Sequence, residues 1–193
     1  MNFAWMDEAA HARSGAFERA MRVLPSAEIA AKPAYDKAKR TFDLVLGALA
    51  AVVAALPMLA IALAVKLDSP GPVLFRQKRV GKGKVLFCIL KFRTMYADTP
   101  KDVPTHLLQD PDAMITRCGR FLRRTSLDEL PELWNIFRGD MSIVGPRPLL
   151  VKSLPLYNEE QRHRHDVRPG LTGLAQVHGR NALSWEERFT YDV

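Results

Sequence analysis

The chain has 193 residues, 48% of them hydrophobic and 25% charged, which is ordinary for a folded protein of one domain with a small appendage. Its two cysteines, Cys88 and Cys118, have no metal or redox spacing, and they fit a reducing compartment rather than a disulfide scaffold. The net charge of +7 calls for an anionic partner if the basic residues are clustered rather than spread.

The N-terminal stretch, residues 1–38, allows two interpretations. Its apolar residues recur at near-helical spacing, which predicts an amphipathic helix that contacts a membrane surface or a partner. A loosely ordered extension explains the same stretch equally well. The first 35 residues contain no apolar core or cleavage site of a signal peptide.

Residues 44–65 form an apolar run without a charged side chain. A helix of this length reaches roughly 33 Å, enough for a hydrocarbon core of about 30 Å. Lys39, Arg40 and Lys66 border the run on both sides, so charge does not orient it, and Pro57 interrupts its second half. The pattern favours a membrane segment over a buried core helix, and residues 39–67 are assigned to it. A kinked span and a segment that dips in and returns to the same face both remain open.

The remaining residues, 68–193, are predicted to form a small cytosolic domain. Val73–Phe75 and Val85–Leu90 are strand candidates, and Gly81–Lys84 between them is a candidate hairpin turn. Residues 116–137 have a helical pattern, and proline and glycine interrupt the rest. We therefore expect an α+β fold, mainly helical, with short helices and a hairpin rather than a large sheet.

Basic residues concentrate between Lys66 and Tyr96, where eight of them accompany a single acidic residue, Asp68. Such a block suits lipid headgroups, nucleotide phosphates or nucleic acid, and a solvated basic face is the alternative. Few aromatic residues are interleaved with the block, so nucleic acid is not expected as a partner.

The stretch from Arg123 to Asn135 is the densest in chemical groups. Ser126 and Glu129 have the spacing of a capping box, which predicts a helix start at Ser126. A start at Asp128 instead places Pro131 in the first turn, where its missing N–H is harmless. Either start puts Asp128 and Glu129 at a helix N-terminus.

A helix N-terminus favours carboxylates and phosphates, because it presents free N–H groups and partial positive charge. There Asp128 is a candidate carboxylate nucleophile that stays ionised, and Asp128 with Glu129 is a candidate Mg²⁺ site. Arg123 and Arg124 can neutralise charge on a phosphoryl group. The alternative is that both acids only cap the helix.

Two further segments offer arginines for an anionic substrate. Arg147 lies between Pro146 and Pro148, which stiffen the backbone beneath its guanidinium, so we predict phosphate binding rather than a plain loop. Arg168 and Arg180 lie beside proline or glycine and are further candidates. The two histidines at positions 163 and 165 are interpreted as loop hydrogen-bonding groups rather than metal ligands.

Several ordered motifs between residue 39 and Val193 resemble the monotopic phosphoglycosyl transferases, the bacterial sugar transferase family, and the small PglC-like members most. The matching segments are Lys39-Arg40-x-x-Asp43, Lys91-Phe92-Arg93-Thr94-Met95, Ser126-Leu127-Asp128-Glu129-Leu130-Pro131, Gly139-Asp140-Met141-Ser142, Gly145-Pro146-Arg147-Pro148, Arg164 to Gly173 and Gly179-Arg180-Asn181.

The resemblance implies a reaction at the acid pair. Asp128 would attack the β-phosphate of a UDP-sugar, expel UMP and pass the phosphosugar to a polyprenyl (undecaprenyl) phosphate, which would initiate exopolysaccharide, O-antigen or glycoprotein glycan assembly. It implies Mg²⁺ at Asp128 and Glu129. It also implies phosphate or nucleotide contacts for Arg123, Arg147 and Arg180, and Lys91 and Arg168 are assigned as further substrate-binding candidates.

The resemblance further implies a re-entrant membrane helix and a location on the cytoplasmic face of the bacterial inner membrane, in contact with membrane lipid. The family breaks this helix at a Ser-Pro pair, whereas this chain has Leu56-Pro57. A homodimer stays open. The rival hypothesis is an inactive membrane-anchored homologue with a scaffolding role, motivated by the N-terminal stretch and by the end of the chain at Val193, where family members continue.

Overall fold

A computed structural model describes residues 33–100, 110–179 and 182–193. The predicted N-terminal extension therefore lies outside the described residues up to position 32, and so does Arg180. The elements, in chain order, are α1 (Pro33–Asp68), β1 (Leu74–Val80), β2 (Leu86–Phe92), α2 (Arg117–Thr125), α3 (Glu132–Arg138), β3 (Ser142–Val144), α4 (Glu159–Arg162), β4 (Gly170–Thr172), α5 (Leu174–His178) and α6 (Trp185–Asp192). Single turns of 3₁₀ helix cover Lys82–Lys84, Leu127–Glu129 and His163–His165, and a longer one covers Val151–Leu156.

Helix α1 contains the predicted membrane segment and extends it in the N-terminal direction to Pro33. The helix has 36 residues with Pro57 inside it, and it is long and apolar enough to cross a membrane. Its middle exposes large apolar side chains, such as Val52 and Leu56, which are 76% and 79% exposed. Such a surface is unfavourable in water and fits a lipid environment.

The predicted hairpin is present, and its strands are longer than the apolar residues alone suggested. β1 and β2 pair in a two-stranded sheet, and the turn at Lys82–Lys84 joins them. The extra residues in β1 include the exposed Arg76 and Lys78. A strand with one exposed face carries polar residues at alternate positions, so an apolar run underestimates its length. The second sheet pairs β3 and β4 in parallel, with Ser142 opposite Gly170 and Val144 opposite Thr172. Short elements thus replace a large sheet, as predicted.

The described chain divides into two compact units. The first unit contains the described residues up to Thr41, residues 78–87 and the described residues from Gly139 to Val193. The second unit contains residues 42–77 and 88–138.

The core of the second unit is built around one apolar cluster. Val65 of α1, Phe92 of β2 and Leu122 of α2 are buried together, and Met58, Ile61, Ala62, Leu127 and Leu130 pack against them. Asn135 of α3 is also buried, where its side chain accepts from the Leu90 N–H at 3.0 Å and donates to the Cys88 carbonyl at 2.8 Å. The Asn135 amide thus provides hydrogen-bond partners for backbone groups at the edge of β2, as a neighbouring strand would, and it attaches α3 to β2.

The N-terminal half of α1 also packs within the second unit. Asp43 is fully buried, and a Cβ added at Gly47 would lie 3.7 Å from Ile136 and 3.8 Å from Phe137, both on α3. Val65, near the other end of the apolar run, packs against Phe92 and Leu122. Both ends of the run therefore contact the 88–138 segment of the second unit.

The core of the first unit is a second apolar cluster. It buries Val80, Leu154, Tyr157 and Phe189, with Trp185 packed against it. The connection between β3 and β4 and the terminal helix α6 therefore pack on each other. This packing holds the segment that carries Arg147.

Candidate active site

The acid pair lies on a single 3₁₀ turn, Leu127–Glu129, between α2 and α3. Ser126 does not cap this turn with its side chain; its backbone is left-handed (φ +59°) and forms the C-cap of α2. The capping-box prediction is therefore wrong in detail. Pro131 explains the start of α3 at Glu132, because it cannot donate to the carbonyl of Leu127 or Asp128 and so interrupts the helical ladder. The acids consequently precede α3 by one turn.

Lys91, near the end of β2, lies between two carboxylates of this region. Its Nζ is 2.6 Å from Glu129 Oε1 and 3.1 Å from Glu132 Oε1. The side chains of Lys91 and Glu129 are each 15% exposed, and that of Glu132 is 3% exposed. Removal of the ammonium from such a desolvated site would leave carboxylates without a compensating charge, so the turn depends on Lys91. Lys91, predicted to contact substrate, is thus observed to hold the acid turn.

Arg123 is directed inward by a close approach of α2 to the strand end. Its Nε donates to Thr94 Oγ1 at 2.9 Å, and the N–H of Thr116, which caps α2, donates to the Thr94 carbonyl at 3.1 Å. Gly119 makes this approach possible, because a Cβ there would lie 2.0 Å from the Thr94 carbonyl oxygen. The neighbouring Arg124 is exposed instead.

The electrostatics of Asp128 follow from this arrangement. Burial raises the pKa of the Asp128 carboxyl above its ordinary value, and the charge of Glu129 adds to the rise. Lys91 is the main opposing influence, and the Asp128 backbone N–H and Arg123 also lower the pKa. Asp128 is therefore a partly desolvated carboxylate with two cations close by. Once ionised, such a group is a stronger nucleophile than one in water.

The donor set fits a magnesium ion that is shared with a substrate. Among the residues that the structure describes, no three His, Cys, Asp or Glu side chains group as a metal cage. Mg²⁺ usually takes one or two carboxylates and completes its shell with water and phosphate oxygens. Asp128 and Glu129 supply adjacent carboxylates, and Glu129 is paired with Lys91. Asp128 is accordingly the acid better suited to bind the ion.

Arg147 belongs to the first unit, where other arginines hold its backbone. Arg164 Nη2 donates to the Arg147 carbonyl at 2.8 Å, and Arg79 Nη1 donates to the Pro148 carbonyl at 3.2 Å. Gly145 lies against the backbone of the β4 entry, since a Cβ there would lie 2.3 Å from the Arg168 carbonyl oxygen. The Arg147 side chain is exposed above this clamped backbone. The backbone at Arg147 is therefore held in place, as the two flanking prolines predicted, and phosphate binding by its side chain stays a prediction.

The other predicted residues of the first unit have structural partners. Arg168 Nε donates to the Gly139 carbonyl at 3.0 Å. His163 Nδ1 is 2.7 Å from Asp166 Oδ2, and His165 is buried with its ring 5.5 Å from that of Tyr157. The histidines are thus loop hydrogen-bonding and packing groups, as interpreted from the sequence.

The structure therefore groups the predicted site residues in two sets. Asp128, Glu129, Lys91 and Arg123 lie together in the second unit, whereas Arg147 and Arg168 belong to the first.

Sequence reasoning missed two residues that organise these sets. Glu132 shares Lys91 with Glu129, and its only sequence signal was a third acid next to the acid pair. Arg164 is 3% exposed; it donates to the Tyr157 hydroxyl at 3.1 Å and to Asp192 Oδ2 at 2.6 Å in addition to the Arg147 carbonyl. Both act on residues distant in sequence, so local patterns do not reveal their partners.

Comparison with known proteins gives a consistent picture. The family model described as bacterial sugar transferase matches residues 34–193. The chain is 45% identical to the uncharacterized sugar transferase EpsL of Bacillus subtilis, over 80% of this chain and 75% of that protein. It is 50% identical to a UDP-glucose:undecaprenyl-phosphate glucose-1-phosphate transferase of Caulobacter vibrioides, over 76% of this chain and 55% of that protein.

A third relative carries a different sugar in its name. The chain is 42% identical to a UDP-N-acetylgalactosamine-undecaprenyl-phosphate N-acetylgalactosaminephosphotransferase of Aeromonas hydrophila, over 76% of this chain and 36% of that protein. The chain thus spans about half or less of the Caulobacter and Aeromonas proteins and three quarters of the Bacillus protein.

Proposed function

Because the chain belongs to the bacterial sugar transferase family, we propose that it transfers a phosphosugar from a UDP-sugar to undecaprenyl phosphate and releases UMP. The observation that carries the proposal is the desolvated Asp128 carboxylate beside Lys91 and Arg123. The names of the Caulobacter and Aeromonas relatives support the substrate classes. The sugar is left open, because these relatives are named for glucose and for N-acetylgalactosamine.

The proposed reaction has two displacements at one phosphorus atom. A carboxylate oxygen of Asp128 attacks the β-phosphorus of the UDP-sugar, and the bond from that phosphorus to the bridging oxygen breaks, so that UMP leaves with the electron pair. A phosphate oxygen of undecaprenyl phosphate then attacks the same phosphorus, and the Asp128 carboxylate leaves. The product is undecaprenyl diphosphosugar, and the enzyme is regenerated.

The neighbouring residues have separate roles in this proposal. Lys91 holds Glu129 and keeps positive charge near Asp128, and Arg123 offers its guanidinium to the phosphoryl oxygens. Mg²⁺, bound by Asp128 with Glu129 beside it, would neutralise diphosphate charge. Arg147, Arg168 and Arg180 remain candidate contacts for the phosphates or nucleotide.

We also propose that α1 is re-entrant and that the enzyme lies on the cytoplasmic face of the bacterial inner membrane. The supporting observation is that Gly47 and Val65, near opposite ends of the apolar run, both pack against side chains of the 88–138 segment. A soluble unit on one side of a bilayer cannot reach both ends of a helix that crosses it. Pro57 provides the weak point in the helical hydrogen bonding that a reversal needs.

The test of the chemistry is UMP release from a panel of UDP-sugars with the purified full chain in detergent. We expect Mg²⁺-dependent release for at least one sugar, and Asp128→Asn should lower it at least a thousandfold, because the nucleophile is lost. Asp112→Asn is a matched control at an exposed acid outside the acid turn and should retain most of the activity. Folded protein that releases no UMP with any sugar would favour the scaffolding hypothesis instead.

A further inference from the structure

Three of the four arginines of α2 lie on one exposed side of the helix. Arg117, Arg120 and Arg124 are exposed, and Phe121, 53% exposed, lies among them. These four positions are spaced i, i+3, i+4 and i+7, which places them along one side of a helix. The opposite side is buried through Gly119 and Leu122. We call the four residues the basic face; α2 contains no acidic residue.

The basic face lies beside the point where α1 ends. Asp68, the last residue of α1, accepts a hydrogen bond from the Cys118 N–H at the start of α2, at 3.0 Å. Leu122 is buried in one cluster with Val65, and Met58 packs against that cluster. Helix α2 therefore begins at the level where the apolar run gives way to polar sequence.

An exposed phenylalanine among three arginines is poorly suited to water alone. At a bilayer surface the same set is favourable, because guanidinium groups pair with lipid phosphates while an aromatic ring enters the boundary with the acyl chains. The three arginines are accompanied by no acidic residue on α2, so the face should bind a negatively charged lipid surface better than a zwitterionic one.

We propose that the basic face binds the headgroups of anionic phospholipids. The inference rests on the membrane placement proposed above, and it assigns to α2 a lipid class and a surface. Arg123 faces Thr94 and the acid turn, so one helix serves two purposes. Ser126 joins α2 directly to the turn of Asp128, so docking of the basic face sets the height of the nucleophile above the bilayer. That height matters for an acceptor whose phosphate lies at the headgroup level.

The test places an environment-sensitive fluorophore on the basic face. The full chain carries Cys88→Ser and Cys118→Ser, so that Phe121→Cys is the one thiol. This thiol is labelled with a nitrobenzoxadiazole dye, and the labelled protein is reconstituted in nanodiscs. The lipid is phosphatidylcholine alone or a mixture with phosphatidylglycerol. We expect blue-shifted emission, quenched by spin-labelled lipid, in the anionic nanodiscs. A label at the exposed Lys82→Cys should stay water-like.

Charge is tested on the same labelled chain. We expect the triple variant Arg117→Gln/Arg120→Gln/Arg124→Gln to lose the blue shift and the quenching in anionic nanodiscs. Both signals should then equal those measured in phosphatidylcholine nanodiscs. The matched control Arg76→Gln/Lys78→Gln/Lys82→Gln removes the same charge from exposed positions of the hairpin and its turn, and it should retain the signal. Thermal unfolding in detergent checks that both variants fold.

The inference would be overturned if the label at position 121 were as water-exposed as the label at position 82. It would also be overturned if the basic-face variant kept its blue shift and quenching, or if the control variant lost as much of them as the basic-face variant. A chain that does not enter nanodiscs would overturn the membrane placement as well. UMP release in detergent needs no bilayer and reports separately on the proposed chemistry.

Discussion

Single side chains of the acid turn depend on partners that are far away in sequence. Lys91 ion-pairs with Glu129 and Glu132, and the charge of Lys91 lowers the pKa of Asp128 against the effect of burial. Removing one member therefore changes both the stability and the chemistry of the turn. Two variants can separate these effects.

Lys91→Met should destabilise the chain by about 3 kcal/mol, because it takes the cation away from a buried pair. Adding Glu132→Gln should recover much of that stability, since the buried negative charge is then removed too. UMP release should stay low in the single and the double variant, because Asp128 still lacks the Lys91 charge. Thermal unfolding and UMP release measured on the same samples check this. A double variant as unstable as Lys91→Met would show that Glu132 does not depend on Lys91.

His165 predicts a pH dependence of stability in the first unit. Burial is the main cause that lowers the pKa of His165 to about 4; the charges of Arg164 and Lys84 add to it, and a hydrogen bond with the Gly81 backbone opposes it. The unfolded value is about 6.5, so the unfolded state takes up the proton first as the pH falls. The stability contributed by neutral His165 is complete above about pH 6.5 and is lost towards about pH 4, in total about 3 kcal/mol at 1.36 kcal/mol per unit.

His165→Gln removes this titration and keeps a polar side chain of similar reach. Its unfolding free energy should therefore fall less steeply than that of the unsubstituted chain when the pH is lowered from about 7 to about 4.5. Denaturant titrations at several pH values measure the two slopes. Parallel slopes would contradict a buried neutral His165.

At the scale of elements, close backbone approach positions the helices of the second unit. Helix α2 approaches the end of β2 at Gly119, and α1 approaches α3 at Gly47, but the two glycines differ in the space around them. At Gly119 an added Cβ meets a carbonyl oxygen at 2.0 Å, whereas at Gly47 the nearest atom is a side-chain carbon at 3.7 Å.

Gly119→Ala should therefore displace α2, weaken the contact of Arg123 with Thr94 and lower UMP release together with the melting temperature. Gly47→Ala should leave activity intact and match or exceed the original melting temperature, since alanine is favoured over glycine in a helix by about 1 kcal/mol. Thermal unfolding and UMP release distinguish the two. Equal behaviour of both variants would show that the approach at Gly119 has no special role.

For the whole molecule, the proposed re-entry of α1 predicts that both ends of the apolar run lie on the cytoplasmic side of the membrane. In a cysteine-free background, Tyr35→Cys and Leu67→Cys place exposed thiols before and after the apolar run. In intact cells with a permeabilised outer membrane, an impermeant maleimide should label neither thiol, and it should label both after lysis. Labelling of one thiol from the periplasmic side would establish a crossing helix.

The sequence by itself determined those features that depend on local pattern. The apolar run, the hairpin, the dominance of short helices and the stiff backbone at Arg147 follow from spacing, turn residues and proline geometry. Asp128 and Glu129 were candidates from the sequence because two adjacent acids follow Arg123 and Arg124 in a short polar stretch, although capping alone explained the pattern too. The ordered motifs also identified the family that the comparison confirmed.

Only the tertiary structure decided which residues act on one another. Ser126 ends α2 instead of starting the next helix, because the packing of Leu122 and Leu127 sets the direction of the chain there and Pro131 delays α3. Glu132 acquires its role through Lys91, which lies 41 residues earlier in the sequence. Arg164 acquires its role through Arg147 and Asp192, which lie 17 and 28 residues away. Arg123 and Arg124 are neighbours in sequence, yet packing turns one inward and the other to the surface. Local pattern cannot specify these outcomes, since burial and pairing arise only when distant segments meet.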